Sequence, residues 1–393
     1  MTTELPPAWG ALYVLCLPTQ DAARAAASDL AGRGHRLTAV RSIGELHVHA
    51  EPALAGWWQV LSLAVITGYH RAALEPVLRA ERIGVAGVAR SLGGFAQGGT
   101  EGYAATLELA FVREGLAQEA PGAELPVPDP LPVDPPRPAA APPWPGLDLG
   151  EPAAVVGAVV DVAQRMHGDD PEPPGPVAWL LSEKFAVADP YQHTGALLGD
   201  LADAVAHQGT CTPDTADTVP FLAELALDDG IPAGSRAILL GDLLRLATGS
   251  AAAAVAMADQ IAALGGVWRE PAAASRTRQA ITRVLPRLLA TWERQPPALR
   301  LALAALAAAC DGQEPVPVLG ALPAPEGTDR ADAVALIQAL VANDGVGSAL
   351  ARLAWLPSVV ERAASPHAAA RLVALAILPE IVMDDIGQAV TGL

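Results

Sequence analysis

The composition of this 393-residue chain favours helices packed through small apolar side chains, because 51% of its residues are hydrophobic and only 4% are aromatic. The chain is too long for one ordinary hydrophobic core, so two or more domains are expected. Its net charge is −18, and residues 151–393 account for −13 of it, with 15 basic and 28 acidic side chains. This charge argues against a DNA partner and suits a basic protein partner.

The sequence carries no signal for export or for a membrane partner. Cys16, Cys211 and Cys310 are odd in number and far apart, which fits neither a disulfide framework nor a zinc-binding spacing. The N-terminal segment MTTELPPAWG lacks the basic and apolar regions of a signal peptide. No run of about 18 apolar residues occurs, which is the length that a membrane span needs. We therefore expect a cytoplasmic protein.

Residues 1–117 alternate strand and helix signals and are predicted to form one domain. Apolar runs and alternation predict strands at residues 9–17, 35–40, 45–50 and 57–66, and the glycine-rich run GGFAQGGTEG is expected to lead back to one more short strand. Helical periodicity predicts helices at residues 21–30 and 74–92. The order β-α-β-β-β-α-β places both helices on one face of the sheet, which predicts an α+β sandwich of ferredoxin-like kind.

Three segments of this part are similar to a known family. The helix-to-strand join AGRGHRLTAV, the strand GWWQVLSLAV and the closing segment SLGGFAQGGTEG resemble the regulator of ribonuclease activity B family over roughly residues 10–115. The resemblance implies a protein that binds and inhibits ribonuclease E. It supplies no catalytic residue.

A proline-rich segment, residues 118–152, follows the first domain. Its sequence includes ELPVPDPLPVDPPRPAAAPPWPG, and prolines at this density remove backbone donors and favour polyproline II. The segment is predicted to be a semi-rigid linker, and a docking site for a proline-recognition module is the alternative.

The remaining residues, 153–393, are predicted to be helical throughout and are organised around residues 191–246. The first helix there has an apolar stripe, and the second is expected to be capped at Asp217 or Thr218 with Pro220 in its first turn. A third helix begins after Pro232, and a separate alanine-rich helix is expected at residues 250–264. Further helices are predicted at residues 276–292, 297–310, 329–342, 347–355, 357–364 and 367–378.

The run HQGTCTPDTADTVPFLAELAL resembles the helical pairs of HEAT/armadillo-type repeat proteins. In that family a helix ending in His-Gln-Gly is followed by a turn and a helix that opens Thr-x-x-x-Val-Pro-Phe-Leu. The resemblance implies an α-solenoid of about four to five helical pairs, at the repeat spacing of such proteins. It also implies a non-enzymatic binding scaffold, and some members resemble immunity proteins that neutralise a toxin.

The strongest enzyme-like pattern is the alternation of His47, His49 and Glu51 on one face of a predicted strand. Such a triplet can begin a metal site, although a solvated sheet face is the preferred interpretation. The run GGFAQGG follows a helix and does not match a phosphate-binding loop, and no nucleophile elbow or HExxH motif occurs. No catalytic residue, cofactor or metal ion is predicted.

Two sets of charged residues are candidates for binding a partner. Four arginines, Arg276, Arg283, Arg287 and Arg294, fall close to one line of a helix and form a basic ridge that would suit an acidic partner or RNA, with a solvated face as the preferred interpretation. Asp200, Asp203 and His207 lie on or just after the helix that leads into the central turn. The sequence thus favours a protein-binding scaffold or adaptor over an enzyme, with a toxin-neutralising role as one candidate. A ribonuclease regulator acting through the first domain is the alternative, and RNA is the less favoured partner.

Overall fold

The computed structural model describes residues 8–44, 52–66, 71–113, 140–182, 194–206, 210–310, 322–353 and 367–391. The chain divides into two compact units. The first comprises Met1–Asp134 together with Ala256–Trp268, and the second comprises Pro135–Val255 together with Arg269–Leu393. An α+β part and a mostly helical part are therefore both present, as the sequence predicts.

The first unit begins with alternating strands and helices. In chain order these are β1 (Trp9–Leu17), α1 (Gln20–Gly32), β2 (Leu37–Ser42), β3 (Trp58–Ile66), α2 (Arg71–Ser91), β4 (Phe95–Tyr103) and α3 (Ala104–Arg113). The strands form one sheet in the order β2-β3-β1-β4, and every neighbouring pair is antiparallel. The additional strand predicted at residues 45–50 lies outside the described residues.

The rest of the chain is mostly helical. It contains β5 (Leu147–Asp148), α4 (Pro152–His167), α5 (Gly175–Leu180), α6 (Thr194–Val205), α7 (Pro213–Leu227), α8 (Ala233–Ala256), α9 (Ala258–Ala263), α10 (Ala272–Leu289), α11 (Pro297–Ala309), α12 (Asp329–Ala342), α13 (Val346–Arg352), α14 (His367–Gly387) and β6 (Val390–Thr391). The bounds predicted for α12 are confirmed. The helix predicted at residues 357–364 lies outside the described residues.

Helices α1 and α2 pack on the same face of the sheet, as predicted. Tyr13, Leu15 and Leu17 of β1 alternate toward this face and share a core with Leu30 of α1 and Val85 of α2. The opposite face of the sheet is also covered by a helix. Helix α3 packs there through a cluster that joins Leu107 to Leu63.

The strand predicted after α2 is present, but the glycine-rich run was expected to lead to this strand and not to form it. The run itself forms β4 at the sheet edge, and helix α3 follows it directly. Two glycines permit the close pairing with β1. A Cβ at Gly99 would lie 2.6 Å from the carbonyl oxygen of Leu12, and a Cβ at Gly94 would overlap the carbonyl oxygen of Cys16.

Helix α9 belongs to the first unit although it is distant from it in sequence. Ala263 and the following Leu264 pack against a small cluster on the second sheet face that includes Cys16 and Phe95. Arg90 of α2 donates a hydrogen bond to the Asp259 carboxylate at 3.0 Å. The first unit is therefore assembled from two separate stretches of chain.

Two helix boundaries in the helical unit differ from the sequence prediction. Helix α7 begins at Pro213, not at Asp217, because Thr212 and Thr215 form a capping box that starts the helix one turn earlier. Pro220 consequently lies inside the helix. Helix α8 continues to Ala256 without the predicted break near residue 250, because its alanine-rich second half contains no proline.

Helix α8 has the length and mean hydropathy of a membrane span, and it is the one described helix that does. Of its most apolar 18-residue window, 56% is buried within the fold. Core helices of water-soluble proteins share these properties, so this observation alone does not place the helix in a membrane.

A buried polar cluster connects the end of the proline-rich segment to the last helices. Arg330 of α12 and Asp385 of α14 are each 3% exposed, and the Arg330 Nε donates to both carboxylate oxygens at 3.2 and 3.0 Å. The Trp144 indole N–H donates to Asp385 Oδ2 at 2.9 Å, and the Arg330 guanidinium lies 3.5 Å from the centre of the indole ring. Arg330 also donates to the carbonyl oxygens of Pro142 and Pro323. Residues 142–144, predicted as part of the linker, are therefore attached to the helical unit.

We expect Arg330→Met to lower the free energy of unfolding of the helical unit by about 3–5 kcal/mol, because it leaves the Asp385 charge buried without an opposite charge and with Trp144 as its remaining donor. Trp144→Phe removes a single donor to Asp385 and is expected to cost about 1–3 kcal/mol. Chemical denaturation followed by circular dichroism measures both changes. The control is Arg165→Met, which removes an exposed ion pair with Asp228 and should cost less than about 1 kcal/mol. Equal losses in Arg330→Met and in the control would contradict this assignment.

A second prediction concerns the close packing of β1 and the turn before β4. Gly94→Ala places a methyl group against the Cys16 carbonyl and 2.7 Å from a methyl of Leu17, so we expect a loss of about 1–3 kcal/mol in the first unit. Gly87→Ala, in helix α2 with nothing within 4 Å of the added Cβ, is expected to be neutral or to stabilise by up to about 1 kcal/mol. Thermal denaturation measures the stability of the two variants. Equal melting temperatures for Gly94→Ala and Gly87→Ala would contradict the prediction.

Candidate functional site

A groove between helices α6 and α8 contains two adjacent cavities of about 270 and 300 Å³. Gly199, Ala202, Asp242 and Arg245 line both of them. The first cavity extends toward Leu222 of α7, and the second extends toward α14 and β6. Each is close to the lower size limit for a small-ligand site, so the groove suits a side chain better than a large cofactor.

The sequence of α6 explains why this groove remains open. The core face of α6 carries large apolar residues, Leu197, Leu198, Leu201 and Val205, all of which are buried. Gly195, Gly199 and Ala202 are spaced so that they share a side of the helix, and they leave room where longer side chains would fill the groove. A Cβ added at Gly199 would meet no heavy atom within 4 Å.

Asp242 is the one carboxylate among the groove-lining residues that is almost completely buried, with 7% exposure. Its Oδ1 accepts a hydrogen bond of 2.9 Å from Arg245 Nη1, and the Arg245 side chain is 58% exposed. Burial raises the pKa of Asp242 to about 6, and the neighbouring Arg245 opposes this shift only in part. A carboxylate with a raised pKa in an apolar cleft is typical of a functional site.

The sequence analysis did not identify Asp242 or Arg245. The pattern ILLGDLLRLA contains a signal, because Asp242 lies between Leu239 and Leu246 on the buried side of an otherwise apolar helix. A charged residue at such a position needs a partner or a purpose. The apolar periodicity predicts this helix from its leucines alone and assigns no role to the aspartate among them.

Of the acidic candidates predicted from sequence, Asp203 lines the first cavity. Asp200 lies one turn earlier on α6 and is exposed. His207 lies outside the described residues. The groove therefore brings one predicted residue together with the two that were missed.

The predicted basic ridge lies on α10 and on the turn after it. Arg276, Arg283 and Arg287 are exposed on α10, and Arg294 is exposed in the short 3₁₀ turn that follows. Arg287 Nη2 is 2.6 Å from a carboxylate oxygen of Glu224, so this arginine has an acidic partner within the chain. On the other side of the helix Ile281, Leu285 and Leu288 are buried, and Leu289 is half-buried.

A larger, polar cavity of about 670 Å³ borders α5, α7 and α10. Its lining includes His167, Asp170, Asp214, Asp217 and Arg283. The three aspartates are exposed, and they therefore remain hydrated. Among the residues that the structure describes, no three histidine, cysteine or acidic side chains are arranged to hold a metal ion. His47, His49 and Glu51 fall outside that set.

The first unit contains a Ser-His-Glu chain that sequence analysis did not identify. His35 is 2% exposed, its Nδ1 lies 2.6 Å from the hydroxyl of Ser62, and its Nε2 lies 2.6 Å from a carboxylate oxygen of Glu81. Ser62 is completely buried on β3, so no substrate reaches its hydroxyl in this conformation. These three residues link the sheet to helix α2, and the arrangement is structural.

Comparison of the chain with protein-family models, with curated proteins and with solved structures finds no match in any of the three. Function must therefore be inferred from the groove and the charge around it.

The raised pKa of Asp242 gives a testable dependence of stability on pH. The folded protein holds the Asp242 proton more tightly than the unfolded chain does, so stability from this group is present below about pH 4 and is lost as pH rises through about 6. Asp242→Asn cannot lose a proton. We expect the unfolding free energy of this variant, relative to the unmodified protein, to rise by about 2 kcal/mol between pH 4 and pH 7.

Urea denaturation at a series of pH values measures this difference. Asp200→Asn is the matched control, because it makes the same chemical change on an exposed residue of α6. If the difference in unfolding free energy between Asp242→Asn and the unmodified protein does not change with pH, the Asp242 carboxylate is hydrated in the folded protein.

Proposed function

We propose that this chain is a non-enzymatic scaffold that binds a basic protein partner through its helical unit. The single observation that carries the proposal is the groove between α6 and α8, where Asp242 is buried and Asp203 lies at the same cavity. The stretch that contains it, residues 151–393, carries a net charge of −13. A surface of this sign attracts a basic partner at long range, and a concave apolar groove provides the short-range contact.

The architecture supports a scaffold. One continuous apolar core runs from Trp144 to Val390 and includes residues of most of the helices between them. We propose that these helices form an α-solenoid of HEAT-like pairs, in which stacked helices create an extended binding surface. Within this class, a toxin-neutralising or regulatory adaptor located in the cytoplasm is the preferred role.

A ribonuclease regulator that acts through the first unit is the second candidate. The strand order β2-β3-β1-β4 with helices α1 and α2 on one face supports the ferredoxin-like sandwich expected for that unit. The Ser62-His35-Glu81 chain gives no support to a hydrolytic role there, because the serine hydroxyl is buried.

Affinity capture from the native host with the full-length chain, followed by binding kinetics with the purified partner, tests the proposal. We expect a basic protein whose association rate falls at least about tenfold between about 0.05 and 0.5 M salt, because salt screens long-range attraction. Dissociation should change less. A partner whose association is independent of salt would contradict the scaffold as proposed and favour the ribonuclease-regulator alternative.

Charge reversal separates direct contact from the general field. The double variant Asp200→Lys, Asp203→Lys should weaken the affinity at least about tenfold more than the control double variant Asp161→Lys, Asp169→Lys. All four residues are exposed in the helical unit, so both doubles change the net charge equally. Like charges at the contact raise the dissociation rate in the first double only. Equal effects would show that α6 is not part of the interface.

A further inference from the structure

The Asp242 carboxylate has unused hydrogen-bonding capacity that faces a cavity. Its Oδ1 accepts from Arg245, whereas its Oδ2 has no hydrogen-bond partner among the described residues. The carboxylate lies in the wall shared by the two cavities of the groove. Asp242 is 7% exposed, and its Oδ2 is not among the fully enclosed polar atoms that lack a partner, so this oxygen is open to the groove and can accept a hydrogen bond from an entering donor.

The groove walls define which donor fits. Leu201, Leu222 and Leu239 line one cavity, and Ile238 and Ile386 line the other, so an entering group must first cross apolar surface. An anion would meet both Asp242 and Asp203. A wholly apolar group would leave the Asp242 charge unpaired, and a metal ion would find no third histidine, cysteine or acidic ligand beside Asp242 and Asp203 among the described residues. An alkyl chain that ends in a cation satisfies every part of the lining.

We propose that the groove binds an arginine side chain of the basic partner, whose guanidinium pairs with Asp242 in exchange for Arg245. This inference rests on the proposed function, since it names the contact by which the scaffold holds its partner. A guanidinium presents two parallel N–H groups that match the two carboxylate oxygens, which an ammonium group does not. Arg245 can be displaced because its side chain is already 58% exposed to solvent and its charge stays hydrated when it leaves.

The same contact makes binding sensitive to pH. The charged groups that face Asp242 are Arg245 on its own helix and Asp203 on α6. The packed elements α7, α14 and β6 contribute only uncharged residues, Leu222, Met383, Ile386, Gly387 and Val390. Protonation of Asp242, whose pKa is about 6, removes the charge that holds the guanidinium. The partner is therefore released as pH falls below 6.

The test uses the full-length protein and a pair of small probes, pentylguanidinium and its neutral isostere pentylurea. Isoleucine methyl groups labelled with carbon-13 report binding by NMR, since Ile238 and Ile386 line the groove. At pH 7.5 we expect both methyl signals to shift on addition of pentylguanidinium, with an affinity at least about tenfold higher than for pentylurea. At pH 5 the affinity for pentylguanidinium should be about tenfold lower.

Two variants complete the test. Asp242→Asn should lose most of the preference for pentylguanidinium, because it keeps the shape of the groove and removes the enclosed charge, and leaves only the exposed Asp203. Gly199→Leu should bind neither, because its side chain enters the groove, and the substitution favours the helix. Equal affinity for the two probes in the unmodified protein, a preference for pentylguanidinium retained in Asp242→Asn, or no shift of Ile238 and Ile386 at pH 7.5 would each overturn the inference.

The probes also separate this inference from the proposed function, because they require no partner. If pentylguanidinium binds as expected and no basic protein is captured, the site stands and the scaffold proposal fails. If a captured basic partner binds Asp242→Asn as tightly as the unmodified protein and is not competed by pentylguanidinium, the scaffold stands and the arginine site is overturned.

Discussion

The buried pairing of Arg330 with Asp385 is the interaction on which the helical unit most depends. It joins residues that are 55 positions apart in sequence, and Trp144 adds a contact across a further long separation. A buried ion pair contributes little net stability compared with well-packed apolar groups, but it tolerates almost no rearrangement once formed. The cluster therefore selects one arrangement of helices that alanine and leucine alone would leave poorly specified. The cluster therefore contributes more to the specificity of helix packing than to net stability.

The groove also contains an aspartate paired with an arginine, but this second pair leaves the aspartate available for binding. Asp385 receives hydrogen bonds from both Arg330 and Trp144 and is 3% exposed, so its hydrogen-bonding capacity is used within the fold. Asp242 receives one hydrogen bond from a largely exposed arginine and faces two cavities. The first aspartate is structural because its partners are fixed. The second is available for binding because its partner can be displaced.

The sequence predicted those features that depend on local patterns and missed those that depend on distant contacts. Apolar periodicity located helices such as Asp329–Ala342, because the residues of a buried helix face recur every three to four positions within one continuous segment. In the sequence, Asp242 is one position of a leucine-rich stripe. Only the position of α6 beside α8 shows that the Asp242 carboxylate is enclosed. The role of α9 could not be predicted either, because no local signal indicates which sheet a short helix will cover. None of the residues of α9 is buried, so its sequence pattern does not indicate which surface it packs against.

The placement of α9 has a consequence for the order in which the chain folds during synthesis. A protein emerges from the ribosome from its N-terminus, and domains generally fold as units as soon as their residues are available. The sheet of the first unit is complete once Tyr103 has been made, yet the cluster around Phe95 lacks its cover until residues 256–268 arrive. For the time needed to translate the intervening helices, an apolar patch of the sheet stays exposed. A nascent chain with such a patch is a natural substrate for a chaperone.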